Sequence, residues 1–334
     1  MGVLTEGDLH MRSRFLLVLA AIAAATVLLT YAAQAQNYPN RPVRIIVPFA
    51  AGGIGDITTR LIADKLGDRL GGRFIVDNQP GAGGIAAARS VLAAPADGYT
   101  LALVTNGTAI NVPLFKSLPY DPVKDFAPIS GFSLFDLTLT TNAGGPYATL
   151  GDFLKDARAN PGKLNIGTIN VGSTQNLAAE LLRAMATINA TIVPYRTTPD
   201  AMIALLRNDV QLTAEYYATT KAGIEDGKLR LLATTGAKRS EFTPNAPTAA
   251  EGGVPGYEVR SWNALFAKAG TSADIIARLN QAVRDAVALP DIKQRMLELG
   301  LEAQAGSPEE IAARLKDDIA KWAKVIDDAR IPKL

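Results

Sequence analysis

Val43-Arg44-Ile45-Ile46-Val47-Pro48-Phe49-Ala50-Ala51-Gly52-Gly53-Ile54-Gly55-Asp56 reads as a buried strand, a glycine turn and the start of a helix. The first five residues are β-branched and apolar apart from Arg44. Gly52 and Gly53 can take positive φ and let a ligand approach the backbone. Apolar residues then recur at Ile57, Leu61, Ile62 and Leu66, a helical period. The unpaired N–H groups at such a helix start attract an anion. The third glycine of a dinucleotide fingerprint would fall on Thr58, and no Gly-Lys-Ser/Thr follows, so neither nucleotide motif is present.

The same alternation continues outward. Arg73–Asp77 reads as a second strand, entering the turn Asn78-Gln79-Pro80-Gly81-Ala82-Gly83-Gly84 and a small-residue helix. Tyr99–Val104 reads as a third strand, ending at Thr105-Asn106-Gly107-Thr108. This β-α-β-α-β order predicts a parallel sheet with helices on both faces and a ligand beyond the carboxyl ends of its strands. Pro113–Pro128 reads as loop, and Phe135–Thr141 as a crossover strand. A second βα series runs from Leu150 to Thr234, Tyr257–Phe266 returns, and three amphipathic helices close the chain. The last begins at Ser307-Pro308-Glu309-Glu310, with Ser at N-cap, Pro at N1 and Glu at N3. The expected architecture is two α/β domains joined by two crossing strands. The first domain comprises residues 36–138 plus 260–334, and the second 139–259.

Composition removes whole classes of function. The 334 residues carry a net charge of +2, so nothing polybasic points to nucleic acid. There is no cysteine, and His10 is the only histidine. Arg12 and Arg14 precede the apolar run Phe15–Tyr31, which ends in Ala33-Gln34-Ala35, the pattern of a secretory signal cleaved before Gln36. Met11 is an alternative start. The competing reading of the run is a membrane anchor, for which it is short. A lipid anchor on cysteine is impossible. Removing the first 35 of 334 residues leaves 299 without histidine or cysteine. Histidine bases, Ser-His-Asp triads and His/Cys zinc sites are then excluded, and no cofactor or metal is expected.

The candidate binding residues each carry a plain structural alternative. Asp56 either caps its helix or accepts from a ligand. Asn106 and Thr108 stand at a strand end. Gly172-Ser173-Thr174 is either an N-cap cluster or a set of donors aimed at a carboxylate, and the two are compatible. Arg196 is either an exposed cation or a bidentate carboxylate partner. Trp262, Tyr216 and Tyr217 either wall a ligand or pack in the core. Asp317-Asp318 and Asp327-Asp328 read as a solvated helix face.

In order along the chain, these motifs resemble the Bug/TctC family of periplasmic solute-binding receptors of tripartite tricarboxylate transporters. The matching pieces include Val47-Pro48-Phe49-Ala50-Ala51-Gly52-Gly53 with Asp56, Pro80-Gly81-Ala82-Gly83-Gly84, and Asp97-Gly98-Tyr99-Thr100. They continue with Pro119-Tyr120-Asp121-Pro122, Asn160-Pro161-Gly162-Lys163-Leu164, Val193-Pro194-Tyr195, Gly227-Lys228-Leu229-Arg230 and Val254-Pro255-Gly256-Tyr257. The resemblance covers residues from about 38 to 310.

The resemblance implies a type II periplasmic binding protein, a Venus flytrap. It implies a monomer, exported to the periplasm, that delivers a small organic acid to membrane permease subunits. One ligand carboxylate would be held by the loop Phe49, Ala50, Ala51, Gly52, Gly53 and Asp56. The loop Gly172, Ser173, Thr174 and Asn176 would answer from the second domain. Three positions depart from the family. Asn176 stands where a histidine is frequent, Arg196-Thr197 where Lys-Gly is usual, and Tyr217 where an aspartate is frequent. The missing acid near Tyr217 argues against a cationic or amino-acid ligand. The remaining alternatives are a ligand-loaded partner of a receptor kinase, and an enzyme acting on an acidic substrate.

Overall fold

The computed structural model describes residues 38–240 and 242–334; the expected signal segment lies outside the described residues. Arg41–Leu334 forms one compact unit built on a long, curled mixed sheet. No helix among the described residues is long and apolar enough to cross a membrane.

The opening stretch folds as read. Strand β1 (Val43–Val47) runs through the Phe49–Gly53 turn into α1 (Ile54–Leu70), which ends at left-handed Gly71. β2 (Phe74–Asn78) and β3 (Thr100–Thr105) flank β1 in parallel, with α2 (Ile85–Ala93) between them in sequence. A helix then appears where the sequence reads as a strand end and loop: α3 (Asn106–Leu114). Gly107 and Pro113 are poor helix formers, but a capping box between Thr105 and Thr108 fixes its start.

The crossover is longer than expected. β4 spans Phe126–Asn142, 17 residues. Its first part pairs antiparallel with β9 (Arg260–Lys268), which in turn pairs antiparallel with β3. The β-α-β-α-β strands pair in parallel as expected, and the two crossing strands β4 and β9 join them antiparallel, so the sheet is mixed. From Leu137 onward β4 leaves that lobe and pairs with β7 (Leu212–Tyr216) and β8 (Leu229–Thr234). β5 (Asn165–Ile169) and β6 (Thr191–Tyr195) extend the second lobe in parallel. Around them lie α4 (Leu150–Ala159), α5 (Thr174–Met185), α6 (Thr198–Leu206) and α7 (Tyr217–Glu225).

The chain returns through β9 to α8 (Ala273–Ala288), α9 (Pro290–Glu298), the short β10 (Glu302–Ala303) beside β4, and α10 (Pro308–Asp328). α10 opens on the expected Ser307/Glu310 capping box. The seven residues Ser261–Ala267 are buried, so β9 reads as an unbroken run rather than an alternation. Phe266 and Trp262 join Ile46, Val104, Ile311 and Leu315 in the first-lobe core. Each large apolar side chain so buried contributes roughly 1.5–3 kcal/mol. Trp262 is thus core rather than ligand wall, and its indole N–H donates to Asp318. That corrects the reading of Asp317-Asp318 as a wholly solvated face: Asp317 is exposed, while burial raises the Asp318 carboxyl above its ordinary pKa despite the indole bond.

Candidate functional site

Five helices begin where the lobes face each other. The N-cap residues are Gly53 for α1, Thr105 for α3, Ser173 for α5, Thr197 for α6 and Tyr216 for α7. Each lines one of two small cavities between the lobes. Helix N-termini carry about half a positive charge each, so their convergence makes an electropositive cleft without many cations. Thr105, Ser173 and Thr197 cap their helices with side-chain oxygens. Gly53 has no side chain to do so, and the first N–H groups of α1 are left for a ligand or solvent.

The loop before α1 is held from behind. The Asp56 carboxylate is buried and accepts from the Gly52 amide at 3.1 Å, Arg60 Nε at 2.9 Å and Asn78 Nδ2 at 3.0 Å. Burial pushes its pKa up. The bonds from Arg60, Gly52 and Asn78 outweigh burial and hold it below the ordinary carboxylate range. Asn78 also donates to the Phe49 carbonyl at 3.0 Å. Asp56 therefore shapes the turn and does not line the cavity.

The larger contact surface of the cleft is formed by Phe49, Ala50, Gly53, Ile54 and Gly55 from the first lobe. Ile169, Asn170, Gln175, Arg196, Thr197, Thr198 and Tyr216 answer from the second. Its cavity offers about 20 Å³ for water centres, room for one or two waters at roughly 10–15 Å³ each. Among the described residues, Arg196 is the one charged side chain on its wall. An adjoining cavity is lined by Phe49, Thr108, Gly172 and Ser173 among others.

Of the residues singled out from sequence, Phe49, Ala50, Gly53, Thr108, Gly172, Ser173 and Arg196 line these cavities. Ala51 and Gly52 are exposed. Asn106 and Thr174 meet across the cleft, Asn106 Nδ2 donating to Thr174 Oγ1 at 3.3 Å. Asn106 Oδ1 in turn accepts from the Trp322 indole at 2.8 Å. Asn176 turns inward, its Oδ1 accepting from the Gly172 amide at 3.3 Å. Tyr217 is the outlier. It lies one residue past the strand end, so it leaves the cleft, packs at Gly300 and lines a separate cavity of about 560 Å³ behind it.

Glu215 was missed. It is fully buried at the end of β7 and accepts from Gln175 Nε2 at 3.0 Å, Thr198 Oγ1 at 3.1 Å and the Tyr216 amide at 2.9 Å. An acid therefore does sit beneath the second-lobe wall, held by groups of the protein and not lining the cavity. The available signal was a lone carboxylate closing an otherwise apolar and hydroxyl-bearing strand. Burial raises its pKa from 4.5 to about 6, the hydrogen bonds offsetting only part of that. The native state thus binds this proton more tightly than the unfolded chain. The contribution is fully present below pH 4.5 and lost as pH rises through about 6. In urea unfolding, wild type should lose about 2 kcal/mol over that window relative to Glu215→Gln. Parallel curves for the two proteins would contradict this.

Comparison with known proteins identifies the family and the fold. The family model described as the tripartite tricarboxylate transporter family receptor, TctC, matches residues 58–331. Protein BugT of Bordetella pertussis is 32% identical over 315 residues, covering 93% of this chain and 96% of BugT. The structure of R. palustris Rpa4515 with adipate is 35% identical with a TM-score of 0.85, covering 89% of this chain and 100% of that one. MatC (Rpa3494) from Rhodopseudomonas palustris with bound malate is 31% identical with a TM-score of 0.82, covering 86% of this chain and 100% of that one. The two-lobed sheet is that of the periplasmic binding proteins, a Venus flytrap, and the chain belongs to the TctC family of tripartite tricarboxylate transporter receptors.

Proposed function

We propose that the protein captures a small organic acid between its lobes and delivers it to the membrane subunits of a tripartite tricarboxylate-type transporter. The observation that carries this reading is the uncapped start of α1 facing Arg196 in a cleft ringed by helix N-termini. Two related structures hold adipate and malate. In this reading residues 36–138 with 260–334 and residues 139–259 move as two bodies, and the protein acts as a monomer in the periplasm. The α1 amides and Arg196 grip carboxylate; Asp56 and Asn106 hold the loops that do so. A cavity of about 20 Å³ is the closed geometry, so a carboxylic acid enters only as the facing loops part. No catalytic step is assigned to the site.

A thermal-shift series of di- and tricarboxylates, aromatic acids and neutral sugars tests this. An acid at about 100 times its Kd should raise the melting temperature by roughly 4 °C. Stabilisation by sugars with none by acids would overturn the proposal.

A further inference from the structure

An ionised carboxylate only accepts hydrogen bonds, so every group facing Glu215 must present a donor. Three do: the Gln175 side-chain amide, the Thr198 hydroxyl and the Tyr216 backbone N–H. This fixes which way two cavity-lining side chains face. With one Nε2 hydrogen donated to Glu215, the Gln175 amide is turned so that its Oε1 is available to the cavity. With its proton committed to the same carboxylate, Thr198 leaves only lone pairs. Both residues line the cleft, and both are buried. The Thr198 hydroxyl also stands opposite the anion-binding turn, 3.5 Å from where a Cβ on Gly53 would lie. The first-lobe wall therefore offers N–H donors from α1, while the second-lobe wall sets acceptors, Gln175 Oε1 and Thr198 Oγ1, beside the Arg196 cation.

A plain dicarboxylate satisfies only the donor side. Its carboxylates can pair with the α1 amides and Arg196, but the Gln175 and Thr198 acceptors, with a buried carboxylate beneath them, are left without a donor, and unpaired polar groups in a closed cleft cost binding energy. Resting on the organic-acid reading above, we propose that Glu215 is a positioning residue. By orienting Gln175 and Thr198 it makes the protein select acids that also carry a hydrogen-bond donor, a hydroxyl or amino group, beside the anchored carboxylate.

Matched pairs test this by titration calorimetry at pH 7.5: succinate against malate, and glutarate against 2-hydroxyglutarate and glutamate. Wild type should bind the donor-bearing member at least about 10-fold more tightly. Glu215→Gln removes the charge that fixes the Gln175 amide, and the preference should fall to within about 3-fold. Gln175→Met removes the acceptor at similar volume with Glu215 intact, and should do the same; this second variant guards against misfolding of the first. A side chain that merely supports the fold would lower both affinities together and leave their ratio unchanged. Equal binding of the pair members by wild type, or an unchanged ratio in both variants, overturns this inference while leaving acid binding standing. Failure of every acid to bind overturns both readings.

Discussion

Gly172→Ala is expected to lower affinity for the captured acid by about 100-fold or more while leaving the protein folded. Gly172 has φ +83°, and a Cβ there would lie 2.2 Å from Asn111 Oδ1. Gly172 belongs to the second lobe and Asn111 to α3 of the first, so the clash falls across the cleft. The left-handed backbone costs an alanine roughly 1 kcal/mol, small against a total stability of about 5–15 kcal/mol. The atom met is the end of the Asn111 side chain, but Asn111 is buried and its Cγ and the Phe115 ring lie 3.3 and 3.4 Å from the new methyl group, so the amide has little room to turn aside and the methyl acts as a wedge. A 100-fold loss corresponds to about 2.7 kcal/mol. Calorimetry would read the affinity, and small-angle scattering should show a larger radius of gyration that ligand no longer reduces. Adding Asn111→Ala should recover much of the loss. No recovery would mean that backbone strain, not the wedge, is responsible.

Gly53→Val should have a comparable effect by a different route. Gly53 has φ −87°, which valine adopts without strain. Its Cβ would stand 3.5 Å from the Thr198 hydroxyl, in ordinary contact, but the two γ-methyl groups would cover the first amides of α1. Acid binding should fall at least about 100-fold, with the melting temperature within about 2 °C of wild type. Gly55→Val is the informative contrast. A Cβ there would lie 3.1 Å from Phe49 and 3.2 Å from Leu103, so its penalty should appear in stability as overpacking. Unchanged affinity in Gly53→Val would remove the α1 turn from the site.

The first lobe was legible because its information is local. The β1 turn, the glycines after it and the apolar period of α1 are all written within about thirty residues. α3 was not legible, since Asn106, Gly107 and Pro113 each argue against a helix. What holds it comes from afar: the Trp322 indole bonds to Asn106, 216 positions apart. The second half of the site failed for a related reason. Whether Tyr216 or Tyr217 faces the cleft depends on where β7 gives way to α7, a boundary of one residue. Glu215 reads as an ordinary strand-end acid until Gln175 and Thr198, on two other helices, are brought against it. Departures from the family pattern pointed to the second lobe, but not to which of its side chains turns inward.

The 17-residue β4 has a consequence for the thermodynamics of capture. Two bodies tethered by slack chain must freeze that chain when a solute brings them together, at roughly 1–2 kcal/mol of entropy for each backbone residue ordered. Here the tether is already ordered. Asp136 pairs with Arg260 in one ladder and Leu137 with Tyr216 in the next, with no free residue between them. Register shifts at Pro128/Ser130, Gly131/Ser133 and Leu139/Thr140 give the strand places to flex without unpairing. On the two-body reading proposed above, the connection would act as a leaf spring rather than a string, and little of the solute's binding free energy would be consumed in taking up slack.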